Sequence, residues 1–147
     1  KLSQSFINNS GLNNCEIVSD DKIKSHILYK SVFAVAKSGT VSLEISNAKI
    51  PSIILYKMGL INYLIIKSLV KTKYANIINF AANEEIIPEL LQSNCNSKNI
   101  YNHVSSFIES PEKIKEQVNK VQKILNELKI GGSSSELASL SLNKFLQ

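Results

Sequence analysis

Short apolar runs that alternate with helix-patterned segments limit this chain to very few folds. Residues 15–18, 32–36, 51–56 and 74–80 are runs of four to seven residues, too short for helices that cross a core. Each is followed by helical spacing. After the first, Ser19 or Asp20 can cap a helix over 19–30 that carries Ile23, Ile27 and Leu28 on one face. After the second, Val41, Ile45 and Ala48 fall at i, i+4 and i+7; segments 59–71 and 84–92 follow the third and fourth. Strands that are apolar on both sides and alternate with helices predict a parallel sheet covered on both faces, a doubly wound, Rossmann-like α/β fold.

Beyond Cys95 the pattern turns all helical. SKNIYNHVSSFIE reads as one helix, and Ser110-Pro111 supplies a cap and a proline at the first position of the next. Ile114, Val118, Val121, Leu125 and Leu128 make that helix amphipathic, and the glycine pair 131–132 ends it. SSSELASLSLNKFLQ predicts a last helix. The 147 residues therefore read as one partial domain, α/β over 1–95 and helical over 96–147. Lys1 stands where an initiator Met would, so the expectation is a piece of a longer protein.

A net charge of +5 raises the question of nucleic acid. All 17 basic residues are lysine, and arginine, the side chain suited to bidentate contact with phosphate and guanine, is absent. With Ile and Asn also abundant, the composition points to an AT-rich coding sequence, and no nucleic-acid partner is expected. Cys15 and Cys95 form no CxxC and have no histidine at metal spacing, so neither a disulfide framework nor a metal site is expected, and no cofactor.

The chemistry concentrates in AVAKSGTVSLEIS, residues 34–46. If Ser38 or Gly39 starts a helix, its first N–H groups point into the crevice at the carboxyl end of the 32–36 strand, where an anion is favoured. Gly39 lets a phosphate approach the backbone, and the Ser38 and Thr40 hydroxyls add donors. Glu44, four residues after Thr40, shares its face and can accept from a ribose diol. Taken alone, the same residues describe a capping turn and a solvated glutamate at least as well.

SGTVSLE, KIPSIILYKM, LVKTKYANIINFAANEEIIPELLQSNC and GGSSSELA occur in the order and at the spacing of the C-terminal part of lipid-A-disaccharide synthases, which this chain resembles. The resemblance implies the C-terminal part of a GT-B glycosyltransferase. It implies transfer of 2,3-diacylglucosamine from UDP-2,3-diacylglucosamine to 2,3-diacylglucosamine 1-phosphate with inversion and release of UDP, without a metal. It places Ser38, Gly39 and Thr40 at the diphosphate, Glu44 at the ribose, Asn79 in the active-site cleft as a catalytic residue, and Glu85 at the substrate. Ile78, Asn83 and Glu84 depart from the family's proline, glycine and arginine. The N-terminal domain, with the expected base and acceptor site, is not among these residues, and the fragment alone is expected to be inactive.

Residues 59–71, flanked by lysines, are apolar almost all round but shorter than a membrane span. A cytoplasmic location with peripheral contact to anionic inner membrane fits substrates that carry acyl chains. The alternative function is a non-catalytic remnant that binds a nucleotide or another protein.

Overall fold

The computed structural model describes residues 5, 7, 10, 11, 14–37, 39–59 and 73–130. The expectations for Ser38, for most of the 59–71 helix, for the stop at 131–132 and for the last helix lie outside them. The chain divides into two compact units, Lys1–Ser31 and Val32–Gln147.

The first unit contains helix α1, Asp21–Lys30. Asp20 caps it, its Oδ1 accepting from the N–H groups of Lys22 and Ile23 at 2.9 and 3.0 Å. None of its side chains is buried, and Ile23 and Ile27 are exposed. The strand expected at 15–18 is a correction: these residues form no ladder with any described segment, and β propensity without a partner does not make a strand.

The second unit is built on three parallel strands in the order β1-β2-β3: β1, Ala34–Lys37; β2, Ser52–Tyr56; β3, Glu89–Leu91. The register pairs Ala36 with Ile54 and Ile54 with Glu89. β2 is central, and Ile53 and Ile54, which point to opposite faces, are both fully buried. Helices cover both faces, as expected of a Rossmann-like sheet. Helix α2, Thr40–Asn47, connects β1 to β2 and inserts Ile45; a shorter helix α3, Ile77–Ala82, inserts Ile78. After β3, a 3-10 turn at Gln92–Asn94 leads into α4, Ser97–Ile108, which places Phe107 on Ile53 and Leu90, with Phe33, Leu55, Ile100 and Val104 around them.

Two expectations are corrected here. Residues 74–80 were expected to form a strand and 84–92 a helix; the structure reverses them. Asn76 Oδ1 accepts from Ile78 N–H at 2.8 Å and so starts α3 inside the apolar run. Asn83 ends it in the left-handed conformation, φ 50°. Pro88 favours extended backbone before it and has no N–H to give a helix, and its carbonyl accepts from Ile54 N–H as the chain enters β3.

Helix α5, Pro111–Ile130, ties the unit together. Ile114 packs on the α4 cluster. Gln117, 5% exposed, meets Ser52 at the amino end of β2: Ser52 N–H donates to Oε1 at 2.8 Å, and Nε2 donates to the carbonyls of Ser52 and Ile86. Further along, Gln122 Nε2 donates to Ser46 O of α2 at 2.7 Å. The apolar stripe holds at Val121 and Leu125, both buried, while Leu128 is exposed.

Candidate functional site

The turn between β1 and α2 lies at the carboxyl end of the sheet. Gly39 caps α2 with φ 148° and ψ −164°, a conformation open to glycine and strained for other residues. Among the described residues nothing lies within 4 Å of the place a Cβ would occupy. Gly39 O accepts from both the N–H and the hydroxyl of Ser42, at 3.1 and 2.6 Å. Among the described residues no side chain caps this helix, and its first turn contains no acidic residue, whereas α1, α3 and α4 carry Asp20, Asn76 and Asn96 as side-chain caps. An uncapped N-terminus with a positive dipole end suits an oxyanion. Thr40 and Glu44 are exposed on α2, and Lys37 Nζ, at the end of β1, stands 5.6 Å from the centre of the Tyr56 ring.

Asn79 has a different setting. It is 0% exposed and spends every hydrogen-bonding position on the protein. Its Oδ1 accepts from Ile86 and Ile87 N–H, both at 2.9 Å, and its Nδ2 donates to Ile87 O at 2.7 Å and Glu89 Oε1 at 2.8 Å. The Glu89 carboxylate also accepts from Ala75 and Asn76 N–H at 2.7 and 3.0 Å. These bonds clasp the start of α3 to the 84–89 turn, so Asn79, expected at the active-site cleft, has all its side-chain hydrogen bonds within the protein.

Glu85 is exposed on the same turn, its Oε1 accepting from Glu89 N–H at 3.1 Å. It borders a pocket of about 150 Å³ with Ile86, Phe107, Lys113, Gln117 and Lys120. Gln117 marks this as the amino end of β2, so Glu85 and the Gly39 turn, expected in one site, stand at opposite ends of the strands. Lys120 reaches Glu84 at 2.8 Å and Glu116, which also lines the pocket, at 3.2 Å. The hydrogen bond to Glu84, then that to Glu116, holds its ammonium above the ordinary lysine pKa of 10.5. The structure brings together Gly39, Thr40 and Glu44 and separates them from Glu85.

Sequence reasoning missed Glu89, Gln92 and Gln117. Gln117 carried a signal, since a polar residue three places after Ile114 falls on the apolar stripe of α5. Glu89 and Gln92 carried none, because their partners lie distant in sequence.

Among the described residues no group of His, Cys, Asp and Glu is placed to hold a metal, and no helix is long and apolar enough to cross a membrane. Residues 3–142 match the family model described as lipid-A-disaccharide synthetase. The chain is similar to lipid-A-disaccharide synthases of Rickettsia canadensis (40% identical over 123 residues, 84% of this chain and 31% of the relative) and Rickettsia bellii (38% over 112 residues, 76% and 29%). It is also similar to that of Rickettsia conorii, 43% identical over 108 residues, 74% of this chain and 24% of the relative. The chain spans less than a third of the length of these curated relatives. With a parallel α/β sheet, the Gly39 turn at its carboxyl end and a family match over nearly all its residues, the chain belongs to the lipid-A-disaccharide synthetase family.

Proposed function

We propose that this chain is the UDP-sugar-binding portion of a glycosyltransferase of lipid A biosynthesis. The full-length protein transfers 2,3-diacylglucosamine from UDP-2,3-diacylglucosamine to 2,3-diacylglucosamine 1-phosphate with inversion and releases UDP. The observation that carries this reading is the N-terminus of α2, uncapped by any side chain among the described residues, opened by a glycine, and placed at the carboxyl end of a parallel strand. Ser38, Gly39 and Thr40 hold the diphosphate and stabilise it as the leaving group; Glu44, one turn along, accepts from the ribose diol. Asn79 serves as a positioning residue.

The base that deprotonates the acceptor hydroxyl and the acceptor site belong to the N-terminal domain, outside these residues, so the chain alone binds donor but does not turn it over. The protein works on the cytoplasmic side, in peripheral contact with anionic membrane, where acylated substrates reside.

Calorimetric titration of UDP into the full-length protein and into this chain tests the reading: binding to both is expected. UDP release from the donor, with acceptor present, is expected from the full-length protein only. Absence of UDP binding to the full-length protein would overturn the assignment.

A further inference from the structure

The three strands leave the sheet on one side: β1 through the Gly39 turn, β2 through residues 57–59, and β3 through the 3-10 turn that begins at Gln92. Gln92 adopts φ 49°, a left-handed conformation uncommon for a residue with a side chain. Its amide is committed to a single backbone residue. Met58 N–H donates to Gln92 Oε1 at 2.9 Å, and Gln92 Nε2 donates to Met58 O at 3.3 Å. The last ladder pair between these strands is Tyr56 with Leu91, so the side-chain amide continues the pairing past the end of β3 as a further peptide would.

This clamp fixes the exit path of the central strand, where a parallel α/β sheet presents its crevice. Lys37, the last residue of β1, pairs with Leu55 of β2, so both strands leave the sheet at the same end, one towards Gly39 and the other through residues 57–59. The clamped segment therefore leaves the sheet at the same end as the Gly39 turn, from the neighbouring strand. Strained backbone held by specific contacts is a feature of ligand clamps.

We propose that Gln92 is a positioning residue of the nucleotide crevice, holding residues 57–59 as the wall beside the Gly39 turn against which the nucleoside diphosphate of the donor lies. The proposal rests on the nucleotide reading given above. It adds to that reading a residue that touches no ligand and acts through the backbone of Met58.

Two variants of the full-length protein test it. Gln92→Gly removes the amide and relieves the left-handed backbone; Gln92→Ala removes the amide and keeps the strain. Both are expected to accelerate hydrogen exchange at the Met58 amide and to weaken UDP binding about 3- to 10-fold, the loss of one or two neutral hydrogen bonds. Turnover at saturating donor should stay within about twofold, because the clamp acts on ground state and transition state alike. Gln92→Gly should melt no lower than Gln92→Ala, which keeps the test usable if the alanine variant fails to fold. Faster exchange at Met58 with unchanged UDP affinity in Gln92→Gly would show that the clamp does not serve the nucleotide. Unchanged exchange would show that it does not hold the segment. Failure of the parent protein to bind UDP is a separate result, seen before any variant is made, and removes the nucleotide reading itself.

Discussion

At the Gly39 turn, α2 begins without a side-chain cap and with open space over the glycine among the described residues; at Asn79, a side-chain amide makes four hydrogen bonds within the protein and is closed to solvent. Both lie on segments that resemble the same family, and residue type alone would place both at the ligand. Hydrogen-bond saturation separates them. A buried amide with four protein partners can meet a substrate only by abandoning them, at a cost of about 1–3 kcal/mol for each group left unpaired. An uncapped helix start has donors available at no such cost.

The largest expected effect comes from the closed region. Asn79→Ala should lower the free energy of unfolding by roughly 3–5 kcal/mol, since Ile86 N–H, Ile87 N–H and Ile87 O all lose a buried partner. A lower urea midpoint at constant m would show it. UDP affinity of the folded variant should match the parent. The comparison breaks if stability is unchanged and UDP affinity or turnover falls, because Asn79 would then belong to the open site.

Next comes Glu44→Gln in the full-length protein. Replacing a charge-assisted hydrogen bond to the ribose should weaken UDP binding by roughly 1.5 to 3 kcal/mol. Glu44 is exposed, so stability should stay within about 0.5 kcal/mol of the parent. Calorimetry and thermal melting together separate the two readouts, and equal UDP affinity would remove Glu44 from the ribose.

Gly39→Ala should cost about 1–2 kcal/mol of stability, because φ 148° is strained for any residue with a Cβ. The open space above Gly39 means the cost lies in the backbone alone. Gly39→Ala and Gly39→Ser should therefore melt at similar temperatures; a much lower melting point for serine would show crowding at a turn that must be open to receive phosphate.

Much of this contrast was legible before the structure. Strands β1 and β2 stood out because apolar residues bracketed by turn signals have few other uses, α4 because SKNIYNHVSSFIE is helix-patterned, and α5 because Ser110-Pro111 marks its start. The Gly39 turn was legible because helix starts obey local rules. The 74–92 stretch was not. Its apolar run is short enough for either strand or helix, and the choice rests on Asn76, Asn79 and Glu89 bonding across 2 to 14 residues of sequence. Glu89 opens β3 because its carboxylate accepts from the start of α3, and no propensity scale records that. Residues 15–18 have the composition of a strand, but pairing is a property of two segments, and no described segment supplies the second.

The smallest expected effect tests whether the closed region owes its hold to buried amides or to the ion pair on its outside. Lys120 of α5 reaches Glu84, just past α3, and Glu116 one helical turn back, with its side chain 43% exposed and theirs 55% and 66%. Exposed pairs of this kind are screened by water and salt and contribute little. The hydrogen bonds to Glu84 and Glu116 raise the Lys120 pKa above 10.5, so the pair's stabilisation is complete below that value and disappears as pH rises through the folded-state pKa. Lys120→Met should accordingly leave the melting temperature nearly unchanged at neutral pH. What little difference exists should shrink further with added salt, and again above pH 10.5 as the parent lysine loses its proton. Loss at neutral pH comparable to that of Asn79→Ala would reverse the comparison, making the surface pair the fastening of the 84–89 turn and the Asn79 amide its accessory.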